Sequence, residues 1–196
     1  EKDYEKADKL GKNYVGRKGN YGTDLPTGNL KFRMISEGKN EITDYERYLN
    51  IGDSLGGVRF CWGGSRFHRR LFVSNPDQLL VLTCGQEGAE KKRFDLELFY
   101  EKIGAPVKIS ALEGKDVLLS GDAFETLHSD GKTGVRLEGA IRILTDGKLS
   151  FDGEKVSVEK ATGFTFLMDL RTDMEARVSG EKESPKSIRK RCLKGL

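Results

Sequence analysis

The chain has 196 residues and a formal net charge of +3, the small remainder of 34 basic and 31 acidic side chains. That length suffices for one domain with a real core, and so even a charge balance argues against a dedicated nucleic-acid binder. No run approaches the roughly 18 apolar residues of a membrane span, and 24 Gly against 4 Pro suits many short strands joined by tight turns.

Lys2–Tyr14 reads as a helix, because Tyr4, Ala7, Leu10 and Tyr14 recur at helical spacing and Gly16 can stop it. A Gly-rich loop follows and ends in Leu25-Pro26-Thr27-Gly28. From there the period becomes two. Leu30, Phe32 and Met34 alternate with Lys31 and Arg33, and Val58, Phe60 and Trp62 with Arg59 and Cys61. Leu79–Cys84 is apolar on both faces and predicts a central, covered strand. Val135, Leu137, Ile141 and Ile143 share a parity opposite Arg136, Glu138 and Arg142, which puts the charged set in water. Phe164, Phe166, Met168 and Leu170 form a further strand. Gly63-Gly64, Asn75-Pro76-Asp77, Asp130-Gly131, Asp146-Gly147 and Asp152-Gly153 punctuate the runs, and the last two read as hairpin turns. About a dozen strands without crossover helices predict an all-β fold: a large antiparallel two-sheet sandwich with a short N-terminal helix. Ser184-Pro185 then starts a second helix, with Ile188, Cys192 and Leu196 on one narrow apolar stripe that calls for a partner, and five basic residues around it.

No nucleophile system emerges. There is no GxSxG, HExxH or P-loop lysine, and the histidines are His68 and His128 alone. His68 reads as a half-exposed strand residue opposite Phe67, Arg69 and Leu71. Asp95 and Glu97 share one strand face about 7 Å apart, a separation glycosidases use, but such pairs are usually a solvated face; Asp169 and Asp173 offer no more. Arg66, Arg69 and Arg70 surround Phe67 and His68, yet Arg69 and Arg70 point to opposite faces. Trp62, the single Trp, alternates with core residues. Cys61, Cys84 and Cys192 form no CxxC, and Cys61 and Cys84 read as buried free thiols. No catalytic, cofactor or metal residue is assigned.

One succession is more specific. Leu25-Pro26-Thr27-Gly28-Asn29-Leu30 is followed by Tyr45-Glu46-Arg47-Tyr48-Leu49-Asn50-Ile51, then by Arg69-Arg70-Leu71-Phe72-Val73-Ser74-Asn75-Pro76-Asp77-Gln78. It resembles the amino-terminal β-sandwich of glycoside hydrolase family 95, the α-L-fucosidase and α-L-galactosidase family, with its "P-x-G-D-L", "Y-x-R-x-L-D-L" and "R-x-x-F-x-S-x-P-D-Q" patterns. Position 29 is Asn where that family usually has Asp, and an earlier "G-N-G-R-L-G" run is lacking. Thr172-Asp173 matches a "T-D" pair near the sandwich end.

The resemblance implies a super-sandwich module without catalytic residues or cofactor. Residues 1–16 would be the N-terminal helix, 17–178 the sandwich, and 179–196 the start of a linker helix to an (α/α)6 barrel elsewhere in the parent polypeptide. Oligosaccharide substrate is expected only through that parent, which the resemblance places as secreted or periplasmic; the chain alone is expected to be inactive. Glu1 in place of a starting Met points to an internal boundary, and a sandwich lacking its first strands is expected to self-associate. A different class, a stand-alone carbohydrate-binding or adhesion module, would need exposed aromatics, for which Tyr45, Tyr48 and Tyr100 are the candidates. Nucleic-acid binding would rest on the basic C-terminus.

Overall fold

The structure, a computed structural model, describes residues 3–11, 13, 28–35, 41–88, 91–101, 107–112, 116–123, 134–153 and 155–196. His128 and the Asp130-Gly131 turn lie outside them. An exposed helix α1 (Tyr4–Gly11) precedes the first strands, β1 (Asn29–Ile35), β2 (Ile42–Asn50), β3 (Leu55–Trp62), β4 (Ser65–Ser74), β5 (Leu79–Gln86) and β6 (Phe94–Glu101). Then come β7 (Val107–Ala111), β8 (Asp116–Ala123), β9 (Val135–Thr145), β10 (Lys148–Phe151), β11 (Lys155–Ala161) and β12 (Phe164–Thr172). Two helices follow, α2 (Met174–Val178) and α3 (Pro185–Gly195). Every strand pairing is antiparallel. A small sheet runs β1-β6-β11-β10, and a wide one runs β2-β3-β4-β5-β12-β9-β8-β7. The all-β sandwich expected from the alternation is the fold observed.

The period-two runs explain the core. Phe60, Phe67, Cys84, Phe164, Phe166, Ile141 and Ile143 of the wide sheet face Leu96, Leu98, Val156 and Val158 of the small one, all buried. Phe32 of β1 stacks on Phe164 at 5.8 Å between ring centroids and meets Phe166 edge-on at 5.3 Å. Trp62 lies on this inner side, edge-on to Phe67 at 5.7 Å. β5, apolar on both faces, occupies a middle position between β4 and β12. Pairing partners directly opposite one another set the register, for example Phe60 with Phe67 and Cys84 with Phe164.

Two expectations from the turns part company. Gly63-Gly64 and Asn75-Pro76-Asp77 close the β3–β4 and β4–β5 hairpins, and Asp152-Gly153 lies in the β10–β11 hairpin. Asp146-Gly147 is no hairpin turn; it carries the chain from β9 in the wide sheet to β10 in the small one. The corner is held by Asp146, which accepts from Thr162 N at 2.8 Å and from Thr162 Oγ1 at 2.9 Å. A side chain at position 147 would meet the Glu159 carbonyl oxygen at 2.6 Å, so the crossing needs glycine. Dipeptide composition cannot separate a turn that reverses a strand within one sheet from one that changes sheets.

Phe166→Ala is expected to cost about 3–5 kcal/mol, read as a lower urea midpoint at unchanged m value. Val73→Ala, at a side chain 68% exposed, should stay within about 0.5 kcal/mol.

Candidate functional site

The wide sheet has a second face, turned away from the small sheet, and α3 lies on it. Ser184 caps the helix by accepting from Ser187 N at 3.2 Å, with Pro185 in the first turn. Ile188 and Cys192, one turn apart, are fully buried against Leu118 of β8 and Ala140 of β9. The apolar stripe that called for a partner therefore finds one in the chain's own sheet.

Under this helix sit two carboxylates that the strand alternation had placed otherwise. Glu138 is 0% exposed and Asp169 2%. The water-facing parity expected for Glu138 is corrected because α3 covers that part of the face. Glu138 Oε1 accepts from Arg136 Nε at 2.9 Å, Arg136 Nη2 at 2.6 Å and Ser120 Oγ at 2.9 Å. Its Oε2 accepts from Arg189 Nε at 3.1 Å and Nη2 at 2.9 Å, which ties α3 to β9. Asp169 takes Arg171 through Nε and Nη2 at 2.9–3.0 Å, and its hydrogen bond holds that guanidinium above its ordinary pKa. Gly195 passes so close to Asp169 that a side chain there would sit 2.8 Å from Oδ2. At the helix end, Arg142 grips Asp116 with two bonds of 2.7 Å and donates a third, at 2.8 Å, to the Leu196 carbonyl. Asp173 accepts from Arg136 N and from Arg177 Nε.

Glu138 and Asp169 are sealed beneath α3 with both oxygens of each taken by guanidinium donors, so neither faces a space a sugar could enter. Their chemistry is that of a clamp. Cys192 shares the seam; burial first, then the charge of Asp169, pushes its thiol up to about 11, which leaves it inert.

The other sequence candidates do not converge. Asp95 and Glu97 lie on the solvent side of the small sheet: Asp95 accepts from Lys160 N, and Glu97 holds Lys155 and Arg33 across three strands. Arg66, His68 and Arg70 do share the outer face of β4, with Arg59 opposite His68, a basic row the sequence reading did not assemble. Arg69 points inward. His68 is half-buried beside Gly85, and burial, then repulsion from Arg70, holds its pKa below the usual value. Tyr45 is 57% exposed, Tyr48 lies beneath Arg59 at 4.8 Å, and Tyr100 packs where Gly28 leaves room. They do not form one stacking platform. Among the described residues no group of three His, Cys, Asp or Glu is placed to hold a metal, and no helix is long and apolar enough to cross a membrane.

The family model for the glycosyl hydrolase family 65 N-terminal domain matches residues 1–177. No curated protein matches the chain. The matched family is 65 where the motifs of residues 25–82 suggested family 95, and the two agree on the N-terminal domain of a glycoside hydrolase. The described residues of those motifs fall on β1, β2 and the β4–β5 hairpin.

Glu138→Ala is expected to cost about 3 kcal/mol, the lower end for a broken buried pair because the arginines left behind still reach water. It should also open Cys192 to a thiol reagent under folding conditions, whereas wild-type Cys192 stays protected; a wild-type Cys192 reacting like a free thiol would contradict the docked helix. For His68 the unfolded chain, titrating at about 6.5, takes up its proton before the folded one does. Its contribution is therefore full above that pH and lost as pH falls from there toward the lower folded value. His68→Gln should flatten stability against pH in this window, and an unchanged slope would refute the assignment.

Proposed function

Because the chain belongs to the glycosyl hydrolase family 65 N-terminal domain family, we propose that it is the non-catalytic sandwich module of a larger glycoside hydrolase. In this reading it packs against the catalytic domain of the same polypeptide and supports it, and α3 is the element that leads from one to the other. The observation that carries the reading is the clamp: the most buried carboxylates among the described residues, Glu138 and Asp169, are spent on arginines beneath α3. Asp95 and Glu97 of β6 are equally tied to neighbouring strands. A hydrolase of inverting type needs an acid and a base about 6.5–9.5 Å apart across a sugar pocket, and that pair has to come from another part of the parent.

The parent activity is proposed to be hydrolysis of α-L-fucosides, on the resemblance carried by residues 25–82, with a barrel of the (α/α)6 kind supplying the carboxylates and with the parent secreted or periplasmic. A carbohydrate-binding role for this module alone finds less support, since Tyr45, Tyr48 and Tyr100 are dispersed.

The test compares residues 1–196 with the full-length parent on a panel of aryl glycosides. The chain alone should give no turnover and the parent should cleave the aryl α-L-fucoside. Turnover by the pure chain would defeat the module reading, while a parent active only on another glycoside would overturn the fucoside assignment and leave the module standing.

A further inference from the structure

Five half-buried arginines, Arg136, Arg142, Arg171, Arg189 and Arg191, each grip a carboxylate with two nitrogens. Arg69 is the exception. It projects from β4 into the space between the sheets, directly opposite Val58 on one side and Cys84 on the other. Its guanidinium lies 5.0 Å over the Phe60 ring and donates through Nη2 to the Met34 sulfur at 2.9 Å. Its Nε is buried with no hydrogen-bond partner, and among the described residues no carboxylate reaches it. The Met34 thioether, the Phe60 ring face and the neighbouring Cys84 thiol are weak acceptors for a guanidinium whose half-buried counterparts here each put two nitrogens on a carboxylate.

Arg69 borders a cleft of about 350 Å³ whose walls include Phe32, Leu71, Leu82 and Phe164, and which Arg47 and Tyr48 of β2 also line. Its surface is otherwise aromatic and aliphatic, so the many hydroxyl groups of a sugar would find few partners there. A molecule with an apolar body and one anionic head meets both halves of the site: the head completes the Arg69 fork and the body lies along the aromatic and aliphatic walls. We propose that this cleft binds a small monocarboxylate with an aliphatic or aromatic body, with Arg69 as its anchor. The site lies between the sheets, on the side of the wide sheet away from α3, and is independent of the module reading.

Calorimetry of the chain with octanoate, and with octan-1-ol as the uncharged counterpart, tests it. The expected result is saturable 1:1 octanoate binding, with octanol weaker by roughly tenfold or more, the worth of a charge-assisted hydrogen bond. Arg69→Met should lose that preference while still binding octanol. Amide shifts on titration should centre on Phe32, Val58 and Leu82, which locates the site even if the variant fails to fold. Absence of saturable octanoate binding, equal affinity for octanol, shifts centred elsewhere, or unchanged octanoate affinity in a folded Arg69→Met would each overturn the proposal.

Discussion

The two sheets of this sandwich are unequal, and most of what is unusual in the chain follows from that inequality. A four-stranded sheet supplies one inner face, whereas the eight-stranded sheet presents two broad ones. The aromatic core joins the matched inner area, where β1, β6 and β11 lie over β4, β5, β12 and β9. Beyond it, inner-face residues such as Leu71, Val73 and Leu170 remain 38–68% exposed. Among the described residues no second sheet covers the outer face of the wide sheet, and α3 buries part of it at β8, β9 and β12. A helix can shield only a narrow stripe, so polar residues beside that stripe are covered along with the apolar ones. This is why charged residues are buried here and why their arginines sit half in water.

Burying a carboxylate is costly unless charge-assisted hydrogen bonds replace its hydration. Glu138 meets that requirement with five donor contacts, four of them from arginine, and Asp169 with three from one guanidinium. Replacing such a cluster by apolar residues could well leave the fold as stable. What the ions add is direction, because a guanidinium fork fits a carboxylate in few orientations. Ile188 and Cys192 supply the burial, and the arginines supply the register.

Strand existence was legible because amphipathic strands announce themselves by a period of two. The Phe164–Leu170 parity, the apolar β5 run and the placement of Trp62 in the core all follow from that rule. The rule fails where a third layer is added. Nothing local distinguishes Glu138 from the charged residues of any water-facing row, since its burial is decided by a helix about 50 residues further on. Sheet membership was equally hidden: Asp146-Gly147 has the composition of a hairpin turn and serves as a crossing. The basic row of Arg66, His68 and Arg70 could have been found by reading alternate positions of β4 and not adjacent ones. Alternation already put Arg69 and Arg70 on opposite faces, but only the packing of β4 shows that Arg69's face is the inner one, with two sulfurs and a ring for company.

The clamp also bears on how a module of this kind could position whatever follows it. A helix held by its apolar stripe alone can roll and pivot, because hydrophobic contact has little directional preference. Here α3 is pinned at two separated points: Arg189 on Glu138 near its first turn, and the Leu196 carbonyl on Arg142 at its end. Seven residues of helix put those anchors about 10 Å apart. Two fixed points define an axis where one would define only a pivot. Both anchors return to β9, a strand flanked on both sides in the wide sheet, so the axis is referred to an interior strand and not to an edge. Buried ion pairs that add little net stability can thus be retained for the orientation they impose.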